Sequence, residues 1–203
     1  MGFLSAKLFS WLQGAEFYIS MHKEAIEGIP EGEGRSWVDA GCGPGLLARL
    51  AAKKGYVTLG IDRNASMIRE AIRVAGCGQA GVRFLTGDLS SLAPESADVV
   101  SASSLLAVLE DRIGGLTQLM QIVKPGGVLV IIEPTSRMNP KNAGKLLRRG
   151  LIRHRKSALR LWALARQGNT VDPLLFEAVN KATVTFTPLL DGLAGAWFIR
   201  KEA

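Results

Sequence analysis

The chain has 203 residues, 47% hydrophobic and 21% charged, which fits one globular domain and excludes an extended disordered tract. Two cysteines, Cys42 and Cys77, cannot build a disulfide framework, and two histidines, His22 and His154, cannot complete a Cys/His zinc cluster, so no metal site is expected. The net charge of +7 is concentrated: Pro134 to Val171 carries ten Lys or Arg and no acid, leaving 15 basic against 18 acidic residues elsewhere, a balance of −3.

In chain order, Leu4, Leu8, Trp11, Leu12, Ala15, Tyr18 and Ile19 recur at helical steps, which predicts a helix over 3–27. A glycine-rich loop follows at Gly28–Gly34. From Arg35 strands alternate with helices. Strands are expected at 36–40, 57–61, 82–86, 98–102 and 128–132, with helices at 46–54, 65–75 and 112–123. That alternation implies an α/β fold with a parallel sheet covered on both faces. Beyond Pro134 the rhythm changes. Residues 145–166 have helical spacing, with Leu147, Leu151, His154, Ala158, Leu161, Trp162 and Ala165 on one side. Asp172-Pro173 reads as an N-cap and first helical residue, for a helix to about Lys181. The β-like stretches 183–187 and 196–200 predict a closing antiparallel hairpin. No apolar run approaches the ~20 residues that cross a bilayer. The N-terminus lacks a signal-peptide pattern, and Ala6 stands where a myristoylation signal wants Ser or Thr. The expected location is cytoplasmic.

The most informative stretch is Val38-Asp39-Ala40-Gly41-Cys42-Gly43-Pro44-Gly45, a strand that ends in a glycine turn and opens a helix. Glycine lets backbone approach a ligand, and a helix N-terminus offers unpaired N–H groups. A nicotinamide fingerprint would want glycine where this chain has Leu46. Asp62 ends the second strand, where a carboxylate can accept from both ribose hydroxyls or, more plainly, cap the next helix, a job open also to Asn64. Asp88 follows the third strand. Three successive strand ends carry Asp39, Asp62 and Asp88, on the edge where open α/β sheets bind ligands.

These marks, with GIDRNASM (60–67), TGDLSSL (86–92), DVVSASSLLAVLED (98–111) and LMQIVKPGGVLVIIEP (119–134), resemble the class I S-adenosylmethionine-dependent methyltransferases. The likeness is greatest to the small-molecule, type 11 branch that includes quinone-biosynthesis enzymes. It covers about residues 35–134. It implies a Rossmann-like, seven-stranded, mostly parallel sheet of order 3-2-1-4-5-7-6. It also implies S-adenosyl-L-methionine as cofactor. By that resemblance Asp39, Ala40, Gly41, Cys42 and Gly43 hold its methionine end, and Asp62 its ribose. Arg63 and Met67 flank the adenine, Asp88 accepts from the adenine amino group, and Leu89 packs on the ring. Ser103 and Ser104 lie beside the methionine moiety and the acceptor. Cys42 reads as a packing residue, not a nucleophile. Relatives often carry His-His where this chain has Ala107 and Val108, so no imidazole base comes from there.

The catalytic residues are left unassigned, with three weak candidates. His22 is a possible base with Tyr18 one turn before it. The plainer reading packs Tyr18 in the core and exposes His22. Glu133, at the end of the fifth strand, reads first as polar lining and second as an acid/base. Methyl transfer needs mainly alignment, so a missing base is tolerable and favours a neutral amine or an acceptor activated elsewhere.

The chain divides into an N-terminal lid or amphipathic helix (1–34), a cofactor core (35–134), a basic amphipathic insertion (135–171), and a helix with the closing hairpin (172–203). For the basic segment, Lys145, Arg148, Arg149, Arg153, Lys156 and Arg160 lie opposite an apolar face. The plain reading is a solvated face over a packed one. The second is contact of 141–166 with an anionic membrane or lipid-like acceptor at the inner face of a membrane. Trp162, Phe3, Phe9, Trp11 and Phe17 would anchor it. The third is nucleic acid. The leading expectation is methylation of a small, hydrophobic or membrane-associated acceptor by direct in-line transfer. The alternatives are an RNA methyltransferase or a non-catalytic cofactor-binding subunit that activates a partner.

Overall fold

The computed structural model describes residues 3–76, 80–150, 152, 154–177, 179 and 182–203. Seven strands form one sheet in the order β3-β2-β1-β4-β5-β7-β6. They are β1 (Ser36–Ala40), β2 (Val57–Asp62), β3 (Val82–Thr86), β4 (Ala97–Ser103), β5 (Val123–Pro134), β6 (Ala182–Leu189) and β7 (Ala194–Lys201). The first five pair in parallel, and β7 runs antiparallel between β5 and β6. The expected Rossmann-like sheet, its order and its closing hairpin are all present.

The eight helices of the described residues are α1 (Phe3–Gln13), α2 (Glu16–Glu27), α3 (Leu46–Lys53), α4 (Ala65–Ala75), α5 (Arg112–Ile122), α6 (Pro140–Arg148), α7 (Lys156–Arg166) and the single turn α8 (Leu174–Glu177). Strand alternation sorts the core into two layers. Val128, Val130 and Ile132 of β5 pack with Trp37 and with apolar residues of α2, α3, α6 and α7. Leu129 and Ile131, pointing the other way, pack with Leu116, Leu119 and Ile122 of α5 and with Trp197. At the opposite edge from the glycine turn, Asp98 ties three strand starts together. Its Oδ2 accepts from Ser36 N at 2.8 Å and from Lys124 Nζ at 2.9 Å. Burial pushes the Asp98 carboxyl up, but these donors outweigh it and leave it at about 2.

Three helical expectations need correction. The helix expected over 3–27 breaks at Gly14–Ala15, where Ala15 is extended (ψ 135°). A side chain at Gly14 would meet the Arg155 guanidinium, which stacks on Trp11 and donates to the Trp11 carbonyl. The helix expected over 145–166 is two helices, because Gly150 (φ 73°) and Arg155 (φ 48°) turn the chain left-handed. Past that break the buried stripe changes register: Ala158, Leu159, Trp162, Ala163 and Arg166 face inward, while His154, Leu161 and Ala165 are exposed. Leu151 and Arg153 lie outside the described residues. The helix begun by Asp172 does have its cap, Asp172 Oδ1 accepting from Leu174 N at 3.0 Å, but it closes one turn only. Its expected end at Lys181 lies outside the described residues.

Trp37 is fully buried, edge-on to Tyr56, and donates Nε1–H to Ser101 Oγ at 2.8 Å. Trp37→Ala is expected to remove about 3–5 kcal/mol of stability, read as a lower denaturation midpoint at unchanged slope.

Candidate active site

The turn after β1 owes its shape to Gly41, Gly43 and Gly45, at φ 62°, 51° and 76°. A side chain at Gly45 would clash with the Phe84 ring, whereas one at Gly43 would meet only Gln13 Nε2, at 3.7 Å. Asp39 is buried beneath this turn. Its Oδ2 accepts from Ala48 N in the first turn of α3 at 3.0 Å, and its Oδ1 accepts from Ser101 Oγ at 2.8 Å. Burial lifts its carboxyl from 3.8 to about 7, against the pull of those two hydrogen bonds.

Asp62 is half-buried at the tip of β2. Its Oδ2 accepts from Gly43 N at 2.9 Å and its Oδ1 from Asn64 N at 2.8 Å. The cap of α4 is Asn64, whose side chain accepts from Ser66 N, so Asp62 is free of that duty. Met67 is buried; Arg63 and Asp88 approach to 3.8 Å across the tips of β2 and β3, and Leu89 is half-buried. Ser90 N donates to Asp88 and lowers its carboxyl. Cys42 is buried, and burial, with Asp39 and Asp62 adding, pushes its thiol well up, as suits a packing residue.

The tips of β4 and β5 carry a second polar group. Ser103 faces Tyr18 and His22 of α2. His22 Nδ1 lies 2.8 Å from the Tyr18 carbonyl, which can only accept, so Nδ1 bears the proton. Nε2 is then the acceptor for Ser103 Oγ–H at 2.8 Å. His22 is therefore buried, not exposed as the plainer reading held, and burial lowers its pKa to about 4. Tyr18 is buried, as that reading had it, and burial raises its hydroxyl against hydrogen bonds to Ser103 and Ser104. Ser104 adopts φ 55°, an unfavoured backbone for a residue with a side chain. Glu133 is fully buried; Oε1 accepts from Leu106 N at 2.8 Å, and the carboxyl also lies against the backbone N–H groups of Ala107 and Leu105. Burial raises Glu133 to about 7, opposed first by Arg166.

Two residues escaped the sequence reading. Gln13 accepts from Leu46 N at 3.2 Å and brings α1 over the glycine turn. Nothing in its sequence context marks it. Arg166 is buried at the end of α7, with Nη2 3.4 Å from the Ser104 carbonyl and Nε unpartnered. Its spacing, four after Trp162, was the available signal. Trp162 itself is buried against Phe17 and Tyr18, so neither Trp162 nor Phe17 is a surface anchor.

Strand register brings these groups to one edge. Asp39 pairs with Ser101 and Ala40 with Ala102, so Gly41 and Ser103 are neighbours in the sheet; Ser103 pairs with Ile132, which precedes Glu133. The order reverses between β1 and β4, and ligands of open sheets bind outside strand ends at such a point.

Residues 38–131 match the family described as a methyltransferase domain. That segment is just under half of the chain, and it resembles the type 11 S-adenosylmethionine-dependent methyltransferases. The chain is 30% identical over 106 residues to a ubiquinone biosynthesis O-methyltransferase of Paracidovorax citrulli (50% of this chain, 44% of the relative). It is 28% identical over 123 residues to a trans-aconitate 2-methyltransferase of Azoarcus (59% and 47%). The chain thus spans less than half the length of these relatives. A methyltransferase structure from Aquifex aeolicus shares the fold at a TM-score of 0.67 and 15% identity, over 98% of each chain. Two solved structures of this fold, a phosphoethanolamine N-methyltransferase of Haemonchus contortus and the plantazolicin methyltransferase BpumL, are in complex with S-adenosyl-L-methionine and SAH. The turn suits such a cofactor: the space over Gly43 is open, and Asp62 beside it is only half-buried. Among the described residues no cluster could hold a metal ion, and no helix is long and apolar enough to cross a membrane.

Asp39 gives a signed pH effect. Between 3.8 and about 7 the folded state keeps a proton that the unfolded state has released, so this group's contribution falls as pH rises and is flat above 7. The melting-temperature advantage of the parent over Asp39→Asn, which cannot titrate there, is therefore expected to shrink from pH 5 to pH 8. A constant gap across that range would rule this out.

Proposed function

We propose that the protein is an enzyme that transfers the methyl group of S-adenosylmethionine to a small acceptor by direct in-line displacement. The observation that carries this is the shared strand edge, where the glycine turn, Asp62 and the Ser103–Glu133 group lie on neighbouring strands. Asp62 would receive the ribose hydroxyls while bracing Gly43. Arg63, Met67, Asp88 and Leu89 would bound the adenine. Asp39 is buried beneath the turn, so it acts as a positioning residue for Ala40–Gly43, whose backbone would receive the methionine end. When bound, the cofactor supplies an activated methyl on sulfur, and the chain's task is alignment and exclusion of water. Ser103 and Ser104 would stand between cofactor and acceptor. Of the candidate bases, a group near 7 suits neutral pH better than one near 4, which favours Glu133 over His22; Tyr18, held high by burial, serves as a hydrogen-bond partner. In this reading residues 1–34 and 135–171 wall the acceptor side of the 35–134 core, and 172–203 closes the sheet.

Asp62→Ala is expected to weaken cofactor binding by roughly 1.5–3 kcal/mol, the range for a hydrogen bond to a charged group. Calorimetry with S-adenosylhomocysteine checks it. Unchanged affinity at unchanged melting temperature would leave Asp62 as a loop brace only. Methyl incorporation by the purified chain alone separates an enzyme from an activating subunit.

A hydrophobic or membrane-associated acceptor has one specific support. Leu161 and Leu164 of α7 are 47% and 63% exposed, beside exposed Lys156 and Arg160. The protein is expected to sediment with anionic liposomes at low salt. Leu161→Ala with Leu164→Ala should remove the salt-resistant part, and Lys156→Gln with Arg160→Gln the salt-sensitive part. A shift of an RNA probe without liposome binding would favour nucleic acid.

A further inference from the structure

A cavity of about 430 Å³ opens between α2, α6 and the turn that joins β6 to β7, a volume within the range of small-molecule sites. Its wall is apolar: Phe17 and Met21 of α2, Leu146 of α6, Ile152 and Leu190 all line it. The groups gathered at the strand edge lie elsewhere, since Gly43, Asp62, Ser103 and Glu133 take no part in its lining. The two places share α2 alone. Tyr18 and His22 on the buried face of that helix reach Ser103, while Glu16, Ser20 and Glu24 on its exposed face line the cavity.

The charge of this cavity is opposite to that of the chain. Three carboxylates line it, from Glu16, Glu24 and Asp191, with His154, and among the described residues no Lys or Arg does. Yet the chain carries 25 basic against 18 acidic residues, and α6, which supplies one wall, belongs to a segment with no acid at all. Asp191 is already matched, 2.7 Å from Arg149. Glu16 and Glu24 are exposed and form no ion pair among the described residues. They stand on one row of α2 with Ser20 between them, about 12 Å apart along the helix axis.

We propose that this cavity is a binding site for a small amphiphilic cation, whose apolar body rests on the Phe17, Met21, Leu146, Ile152 and Leu190 wall while its ammonium group donates to the Glu16–Glu24 row. The lining decides against other occupants. An anion would approach two unmatched carboxylates. A bare metal ion would gain nothing from five apolar side chains, and acids two helical turns apart cannot share one ion. A neutral apolar molecule would use the wall and leave the row idle. A molecule with both parts gains from hydrophobic contact and from charge, and the first supplies most of the affinity because exposed ion pairs are individually weak.

The test uses the full chain with ¹³C-labelled methionine methyl groups. Met21 is assigned by its loss in Met21→Leu, and Met67 of α4, which does not line the cavity, is the reference. Octylammonium, 1-octanol and octanoate present one apolar chain with a cationic, a neutral and an anionic head. Octylammonium is expected to move the Met21 resonance saturably and leave Met67 in place. Octanol should bind about tenfold more weakly, the scale that two exposed ion pairs supply, and octanoate more weakly still. Glu16→Gln with Glu24→Gln should bring octylammonium down to the affinity of octanol while octanol binding stays parental, which shows the apolar wall intact. Saturating S-adenosylhomocysteine should leave the octylammonium affinity unchanged. Octanoate binding as tightly as octylammonium overturns the proposal, as does parental octylammonium affinity in the double variant. So do movement of Met67 in place of Met21, displacement by S-adenosylhomocysteine, and the lack of any saturable shift.

Discussion

The buried Asp39 carboxylate holds three elements in one geometry. It joins β1 to β4 through Ser101, which in turn accepts from Trp37, and it joins β1 to α3 through Ala48 N. A carboxylate facing a helix N-terminus is electrostatically favourable, and here it also fixes where the helix starts. The glycine turn between Ala40 and Leu46 has both ends clamped by this one side chain. Asp62 then grips the middle of the turn at Gly43 N. The glycine turn is thus stiff because two carboxylates hold it from below and from the side. The raised pKa of Asp39 is the cost of that arrangement: water is excluded from a group that must remain an acceptor.

The parallel half of the fold was legible because its signals are local. Apolar runs of strand length, glycine turns and acids at strand ends each require only neighbouring residues, and they recur at regular spacing from Arg35 to Pro134. The ends of the chain were less legible because their shape depends on contacts far apart in sequence. The break at Gly14 is set by Arg155, more than a hundred residues on, whose guanidinium occupies the space a helix side chain would need. Periodicity reads straight through such a break. The same holds at Gly150 and Arg155, where left-handed backbone resets the helical phase, so that Trp162 stays buried as spacing predicts while Arg166 replaces Leu161 beside it.

Among the site residues, the same division applies. Asp39, Asp62 and Asp88 announce themselves by position. His22 and Arg166 do not, because an ionisable residue on an amphipathic helix reads as solvated until the register of that helix is known. A phase change of one residue separates an exposed basic stripe from a buried arginine. Arg166 belongs to the ten-residue basic cluster by composition and to the buried interior beside Ser104 by structure. The rest of that cluster is largely exposed, with Arg149 paired to Asp191 and Arg155 spent on Trp11.

This partition has a physical consequence for how such a chain can change specificity. The sheet edge that would receive the cofactor is braced by backbone donors and buried carboxylates, so substitutions there unpair buried groups and carry a folding penalty. The polar group around Ser103 is assembled differently. Tyr18 and His22 come from α2, Arg166 from α7, and both helices meet the sheet through apolar contacts and a few side-chain hydrogen bonds. Apolar packing tolerates volume-conserving exchange. A new side chain at position 166 or 22 would alter what the strand tips face without disturbing the turn that Asp39 holds. The surroundings of Ser103 can therefore drift while the glycine turn stays fixed, because the two are secured by different forces on adjacent strands.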